Sequence, residues 1–128
     1  ALRQHCKGDI WCVFGCGGDR DQGKRPLMAE IAETQASKLI ITDDNPRNEA
    51  SDDIIKQILA GLSGKAEVVV ESDRAKAIDY AISHANEDDV ILIAGKGHEE
   101  YQDVGGNRMV FSDVKQARVS LNKRFSGQ

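Results

Sequence analysis

The stretch Ile10-Trp11-Cys12-Val13-Phe14-Gly15-Cys16-Gly17-Gly18 decides the fold. Five apolar residues in unbroken succession fit a strand buried on both faces, and the glycines after them end it in a tight turn. Working outward, Leu27, Met28, Ile31 and Ala32 recur at helical spacing, with Pro26 suited to a first turn. Lys38 to Thr42 is a second short strand, followed by the polar turn Asp43-Asp44-Asn45-Pro46-Arg47-Asn48. Ser51 is the expected N-cap of a helix whose apolar face is Ile54, Ile55, Ile58, Leu59 and Leu62, ending at Gly64. The unit then repeats. Val68-Val69-Val70 is a strand, and Asp73 caps a helix carrying Ala77, Ile78, Ala81 and Ile82. Val90 to Ala94 is another strand, ended by Gly95-Lys96-Gly97-His98-Glu99. Gly105-Gly106-Asn107 turns a hairpin with Met109-Val110-Phe111 as its return strand. Ser112-Asp113 caps a last helix bearing Val114, Ala117, Val119 and Leu121.

Apolar strands alternating with amphipathic helices predict right-handed βαβ units and an α/β fold. The expected architecture is a Rossmann-like three-layer sandwich, with a mainly parallel sheet to which the late hairpin adds an antiparallel strand. Ligands of such sheets bind beyond the C-terminal strand ends. Three polar turns, at 15–20, 43–48 and 95–99, fall at such ends and are expected to converge.

Composition narrows the function classes. With 128 residues there is room for one domain. Hydrophobic residues at 40%, charged residues at 30% and only 2 prolines exclude a disordered or collagen-like chain. No apolar stretch approaches the roughly 20 residues of a membrane helix, and Ala1-Leu2-Arg3-Gln4-His5 is too polar for a signal peptide. A net charge of −4 without a dense Lys/Arg run argues against nucleic acid as a partner. Cys6, Cys12 and Cys16 fit no zinc spacing. Along a strand Cys12 and Cys16 stand about 13 Å apart, beyond the roughly 7 Å of a disulfide. Free thiols in a reducing cytoplasm are therefore expected. The absence of an initiator Met, and an opening that resembles the last turn of a helix, lead us to expect a piece of a longer chain.

The turns differ in what they offer. Gly15-Cys16-Gly17-Gly18-Asp19-Arg20 matches a dinucleotide fingerprint poorly, because Arg20 stands where a third glycine belongs. A guanidinium there is suited to fork onto a carboxylate or phosphate, or simply to form a surface ion pair. Asp44-Asn45-Pro46-Arg47 sets a carboxylate, an amide and a guanidinium on a turn stiffened by Pro46, though the same residues also make an ordinary β-turn. Gly95 and Glu99 offer exposed backbone and an acid, while Lys96 lacks the rest of a phosphate loop and His98 has no companion metal ligands. Arg20 and Arg47 for anions, Asp44 and Glu99 for cations, and Asn45 for either suit a ligand carrying both carboxylates and ammonium groups. An amino acid is such a ligand.

Residues 15–21, Lys24-Arg25-Pro26-Leu27-Met28, residues 42–47 and Ala94 to Glu99 together resemble the C-terminal domain of the Mur ligases. Asp44-Asn45-Pro46-Arg47 is the specific part, similar to the motif of the branch that selects meso-diaminopimelate. The resemblance implies that residues 1–128 are a single C-terminal, amino-acid-binding domain of a three-domain ATP-dependent ligase of peptidoglycan synthesis. It implies a cytoplasmic reaction in which the D-glutamate carboxyl of the UDP-N-acetylmuramoyl dipeptide is phosphorylated and then captured by the amine of meso-diaminopimelate. ATP and Mg²⁺ would be bound mainly by a central domain and the UDP-sugar by an N-terminal one, with no nucleic acid or membrane partner. Arg20, Asp44, Asn45, Pro46, Arg47, Gly95 and Glu99 would bind the amino acid, and no residue of this chain would be catalytic. The family's ATP loop and carbamylated lysine are not in this sequence, so the domain alone is expected to be inactive. The rival from another class is a non-catalytic Rossmann-like module that binds a ligand or nucleotide. The lysine-adding sister enzyme is disfavoured because Arg47 would then face no carboxylate.

Overall fold

Strand β1 (Ile10–Phe14) is buried along its whole length and lies inside a four-stranded sheet. In the computed structural model, which describes residues 7–18, 22–95, 101–104, 107–110 and 112–126, β1 pairs in parallel with β2 (Lys38–Ile41) on one side. On its other side it pairs in parallel with β4 (Val90–Ile93), and β3 (Glu67–Val70) lies beyond β2. The order β3-β2-β1-β4 places the switch point between β1 and β4.

Alternate residues of β1 serve different layers, as the two-residue period of a strand dictates. Ile10, Cys12 and Phe14 join Leu39 and Ile41 beneath helices α1 (Lys24–Gln35) and α2 (Ser51–Leu59). Trp11, Val13 and Ile40 face α3 (Arg74–His84), and Ala117 of α4 (Asp113–Ser126) packs against the same cluster. Three layers result, with helices on both faces. Each fully buried Ile or Val in these clusters stabilises the fold by about 1.5–3 kcal/mol.

Several expectations need correction. The four-stranded sheet is parallel throughout. Strands β5 (Tyr101–Val104) and β6 (Asn107–Val110) pair antiparallel, but with each other, as a ladder separate from that sheet. A hairpin of two short strands satisfies the inward-facing backbone groups within itself and need not join a sheet edge. On α1 the residues turned inward are Arg25, Ala29 and Glu33, whereas Leu27, Met28 and Ile31 are exposed. Val114, Val119 and Leu121 of α4 are exposed as well. Ala50, not Ser51, occupies the N-cap position of α2, and the Ser51 hydroxyl donates to Asp43 Oδ2 at 2.8 Å. Asp73 does cap α3, accepting from the Lys76 N–H at 3.1 Å, and Ser112 Oγ accepts from the Lys115 N–H at the start of α4. Cys12 and Cys16 are free and buried, and burial pushes the Cys12 thiol up to about 11. Cys6 lies outside the described residues. Among the described residues no helix is long and apolar enough to cross a membrane.

At the N-terminal edge of the sheet, Asp89 ties β1 to the start of β4. It accepts from the Asp9 N–H (2.8 Å), the Trp11 indole N–H (2.9 Å) and the Asn86 N–H (2.8 Å). Burial works to raise its pKa, but these donors outweigh burial and hold the carboxyl below its usual 3.8. A depressed folded-state pKa contributes stability that is present above the unfolded value and lost as pH falls through the folded one. Thermal melts should therefore show Asp89→Asn less stable than the unaltered chain at neutral pH, the gap closing as pH drops below 3.8. A gap independent of pH would show that shape, not charge, sets the contribution.

Candidate functional site

At the opposite, C-terminal edge of the sheet, two of the polar turns are bonded to each other. The Gly18 N–H donates to the Asn45 carbonyl at 2.6 Å, and Arg47 Nη1 returns a hydrogen bond to the Gly18 carbonyl at 3.0 Å. Arg47 Nη1 also lies 3.4 Å from the Asn45 carbonyl. A side chain at Gly18 would overlap the Pro46 carbonyl, and one at Gly15 the Thr42 carbonyl. Glycine is what lets the first turn lie flat on the second.

The third turn joins through Gly95, whose φ of +114° is open to glycine but strained for other residues. A Cβ there would stand 3.7 Å from Asp44 Oδ2, so the Asp44 carboxylate borders this turn too. Asp44, Asn45, Pro46, Arg47 and Gly95 thus gather at one sheet edge, together with Gly15 to Gly18. Asn45 and Pro46 are buried, and Asp44 and Arg47 are half-buried. Arg20 and Glu99, with Lys96 and His98, lie outside the described residues.

Arg47 has two unusual properties. Its backbone adopts φ 54°, a left-handed conformation that costs a non-glycine residue about 1–3 kcal/mol. Among the described residues its guanidinium pairs with no carboxylate; its hydrogen bonds run from Nη1 to main-chain carbonyls. Among the described residues, Nε and Nη2 of this five-donor fork make no hydrogen bond.

Two arginines to which the sequence assigned no role, Arg25 and Arg74, hold the turns in place. Arg25 is 1% exposed and grips Glu49 bidentately, at 2.9 Å from Nη1 and 2.8 Å from Nη2. It also donates to Gln57 Oε1 (2.7 Å) and the Gly17 carbonyl (2.9 Å), so the first turn, α1 and α2 meet on one guanidinium. Arg74, also 1% exposed, forks onto Asp113 at 2.7 and 2.8 Å. Its Nη1 donates to the Asp43 carbonyl (3.0 Å) and its Nη2 to the Ala94 carbonyl (3.1 Å). The local sequence does hold a hint. Both arginines sit in the first turn of a helix that has no acidic residue there, where the helix dipole disfavours a cation.

Electrostatics around the turns follow burial. Desolvation raises the Cys16 thiol pKa, opposed by Arg25 and reinforced by Asp44. Desolvation also raises the Asp43 carboxyl, while the Ser51 hydroxyl bond and Arg74 pull it down. Among the described residues no three His, Cys, Asp or Glu side chains gather as a metal site. The first turn also lacks the Lys-Ser/Thr end of a phosphate loop.

The fold is a parallel α/β sandwich whose described turns meet at the switch-point edge, and this chain belongs to the Mur ligase family, whose "Mur ligase, glutamate ligase domain" matches residues 1–97. Over 113 residues, 88% of the chain, it is 57% identical to the UDP-N-acetylmuramoyl-L-alanyl-D-glutamate–2,6-diaminopimelate ligase of Haemophilus influenzae, covering 23% of that protein. The ligase of the same name from Vibrio parahaemolyticus is 56% identical over 121 residues, 94% of this chain and 24% of the relative. A solved structure of a ligase of that name superposes with a TM-score of 0.93 at 40% identity, covering 97% of this chain and 26% of the other. The chain thus spans about a quarter of the length of the relatives it matches.

Proposed function

We propose that this chain is the amino-acid-presenting C-terminal domain of a cytoplasmic ligase that joins meso-diaminopimelate to UDP-N-acetylmuramoyl-L-alanyl-D-glutamate in peptidoglycan synthesis. The observation that carries this reading is Arg47. Its guanidinium is anchored through Nη1 to the Gly18 carbonyl, and among the described residues it has no carboxylate partner. Meso-diaminopimelate brings two ammonium and two carboxylate groups. One carboxylate pairs with Arg47, Asn45 and the Gly95 backbone supply neutral hydrogen bonds, and Asp44 balances an ammonium group. Pro46 stiffens the turn that presents them. Arg20 and Glu99 complete the set on the strength of the family motif alone.

ATP with Mg²⁺ supplies the activation of the D-glutamate carboxyl as an acyl phosphate, and the parts of the ligase outside this chain hold them along with the UDP-sugar. What this chain contributes is orientation. Fixing both ends of the amino acid holds its nucleophilic amine at one place and angle, converting a bimolecular encounter into a positioned attack. Separated from the activated carboxyl, residues 1–128 should neither hydrolyse ATP nor form the amide.

The test uses the full-length protein with ATP, Mg²⁺, the UDP-dipeptide, and either meso-diaminopimelate or L-lysine, with the product read by mass and phosphate release. Amide product with meso-diaminopimelate and little with lysine is expected. Equal use of the two, or no product with meso-diaminopimelate, would overturn the assignment.

A further inference from the structure

Strands β2 and β4 are not neighbours, because β1 lies between them. Each is tied to β1 at its end, by Thr42 N–H to the Phe14 carbonyl and Ala94 N–H to the Val13 carbonyl, both at 2.9 Å. Beyond those bonds the Asp43 N–H still reaches the Ser72 carbonyl at 3.3 Å, and the carbonyls of Asp43 and Ala94 are both met by one side chain. Arg74 donates to the Asp43 carbonyl at 3.0 Å and to the Ala94 carbonyl at 3.1 Å, spanning the end of β1. Because the peptide unit is planar, fixing those two oxygens also fixes the directions of the Asp44 and Gly95 N–H groups. The guanidinium is itself immobilised by the bidentate Asp113 carboxylate, 39 residues away at the first position of α4.

We propose that Arg74, clamped by Asp113, is a positioning residue that sets the separation and orientation of the 43–48 turn and the turn at Gly95 for the amino-acid substrate. It touches no substrate and acts through two main-chain carbonyls. The proposal rests on the amino-acid-binding role given above. A planar fork is what the task needs, since three acceptors from three elements are met in one plane by groups of fixed spacing. Lysine, a flexible point charge, can neutralise Asp113 but cannot hold both carbonyls at once.

In the full-length protein, Arg74→Lys and Asp113→Asn should each raise KM for meso-diaminopimelate by roughly tenfold or more, since small misplacements of binding groups carry large rate costs. KM for ATP and for the UDP-dipeptide should stay as in the unaltered enzyme. Loss of thermal stability with all three KM values unchanged, or a parallel rise in all three, would leave the pair a purely structural ion pair. Should either variant fail to fold, the unaltered enzyme gives the same decision. The Arg74 Nε–H resonance should shift on saturation with meso-diaminopimelate, and a resonance that does not move would overturn the proposal. Failure of the functional reading looks different, because the unaltered enzyme would then not use meso-diaminopimelate at all.

Discussion

Replacing Arg47 by alanine in the full-length ligase is expected to weaken use of meso-diaminopimelate about 30-fold or more while leaving lysine use unchanged or improved. The two amino acids differ by one carboxylate on the far carbon, and on the proposed reading the Arg47 guanidinium is the group that distinguishes them. The cation would be paired with meso-diaminopimelate bound and desolvated without a carboxylate with lysine bound. Such a penalty falls only on the wrong ligand. Removing one partner of a desolvated charge pair costs about 2–5 kcal/mol, and each 1.4 kcal/mol is roughly tenfold. Arg47→Lys should recover only part of the loss, since an ammonium cannot fork onto a carboxylate while keeping the Gly18 carbonyl. The measurement is kcat/KM for each amino acid. Equal losses for both would make Arg47 a structural residue of its turn, and a loss worth under about 1 kcal/mol would make it a solvated one.

The second large effect concerns stability. Arg25→Met should lower the unfolding free energy of the domain by about 3–5 kcal/mol, the usual result of breaking a buried ion pair from one side. Domains are stable by only about 5–15 kcal/mol, so the change is a large fraction of the total. Methionine nearly fills the volume but leaves the Glu49 carboxylate, Gln57 Oε1 and the Gly17 carbonyl without the donors they have now. Urea denaturation reads the difference directly, as a lower midpoint with an unchanged slope. A drop of less than about 1 kcal/mol would mean that solvent, reaching Glu49 at 19% side-chain exposure, screens the pair.

These two arginines mark the boundary of what was legible in the sequence. The parallel sandwich was legible because each strand is a short apolar run and each connection an amphipathic one. The glycine turns were legible because they fall where strands end, and those that are described do meet at one edge. Helix α1 was misread because periodicity assigns apolar residues to the interior. Small Ala29 lets the helix approach the sheet, and the remaining inward positions are given to Arg25 and Glu33. Glu33 is held ionised chiefly by the Ser63 N–H, with the Ser63 hydroxyl and the Lys65 N–H also donating. Apart from Gly17, 8 residues from Arg25, the partners of these buried charges lie 24 to 32 residues away, and Asp113 is 39 from Arg74. No local pattern carries such pairings. Only the misplaced cations in two first turns hint at them.

That Arg25 and Arg74 grip the loops by main-chain oxygens has a consequence for how such a domain can change its specificity. A carbonyl is the same whatever side chain follows it. The scaffold therefore sets where the loops run largely through groups that every residue carries, and exchanging the side chains at 44 and 45, and at 47 with loss of its bond to the Gly18 carbonyl, is expected to leave the Arg25 and Arg74 contacts in place. On the proposed reading, retooling the site toward another diamine or amino diacid is expected to need changes at only a few loop positions. The glycines at 15 and 18 and the two buried arginines must stay.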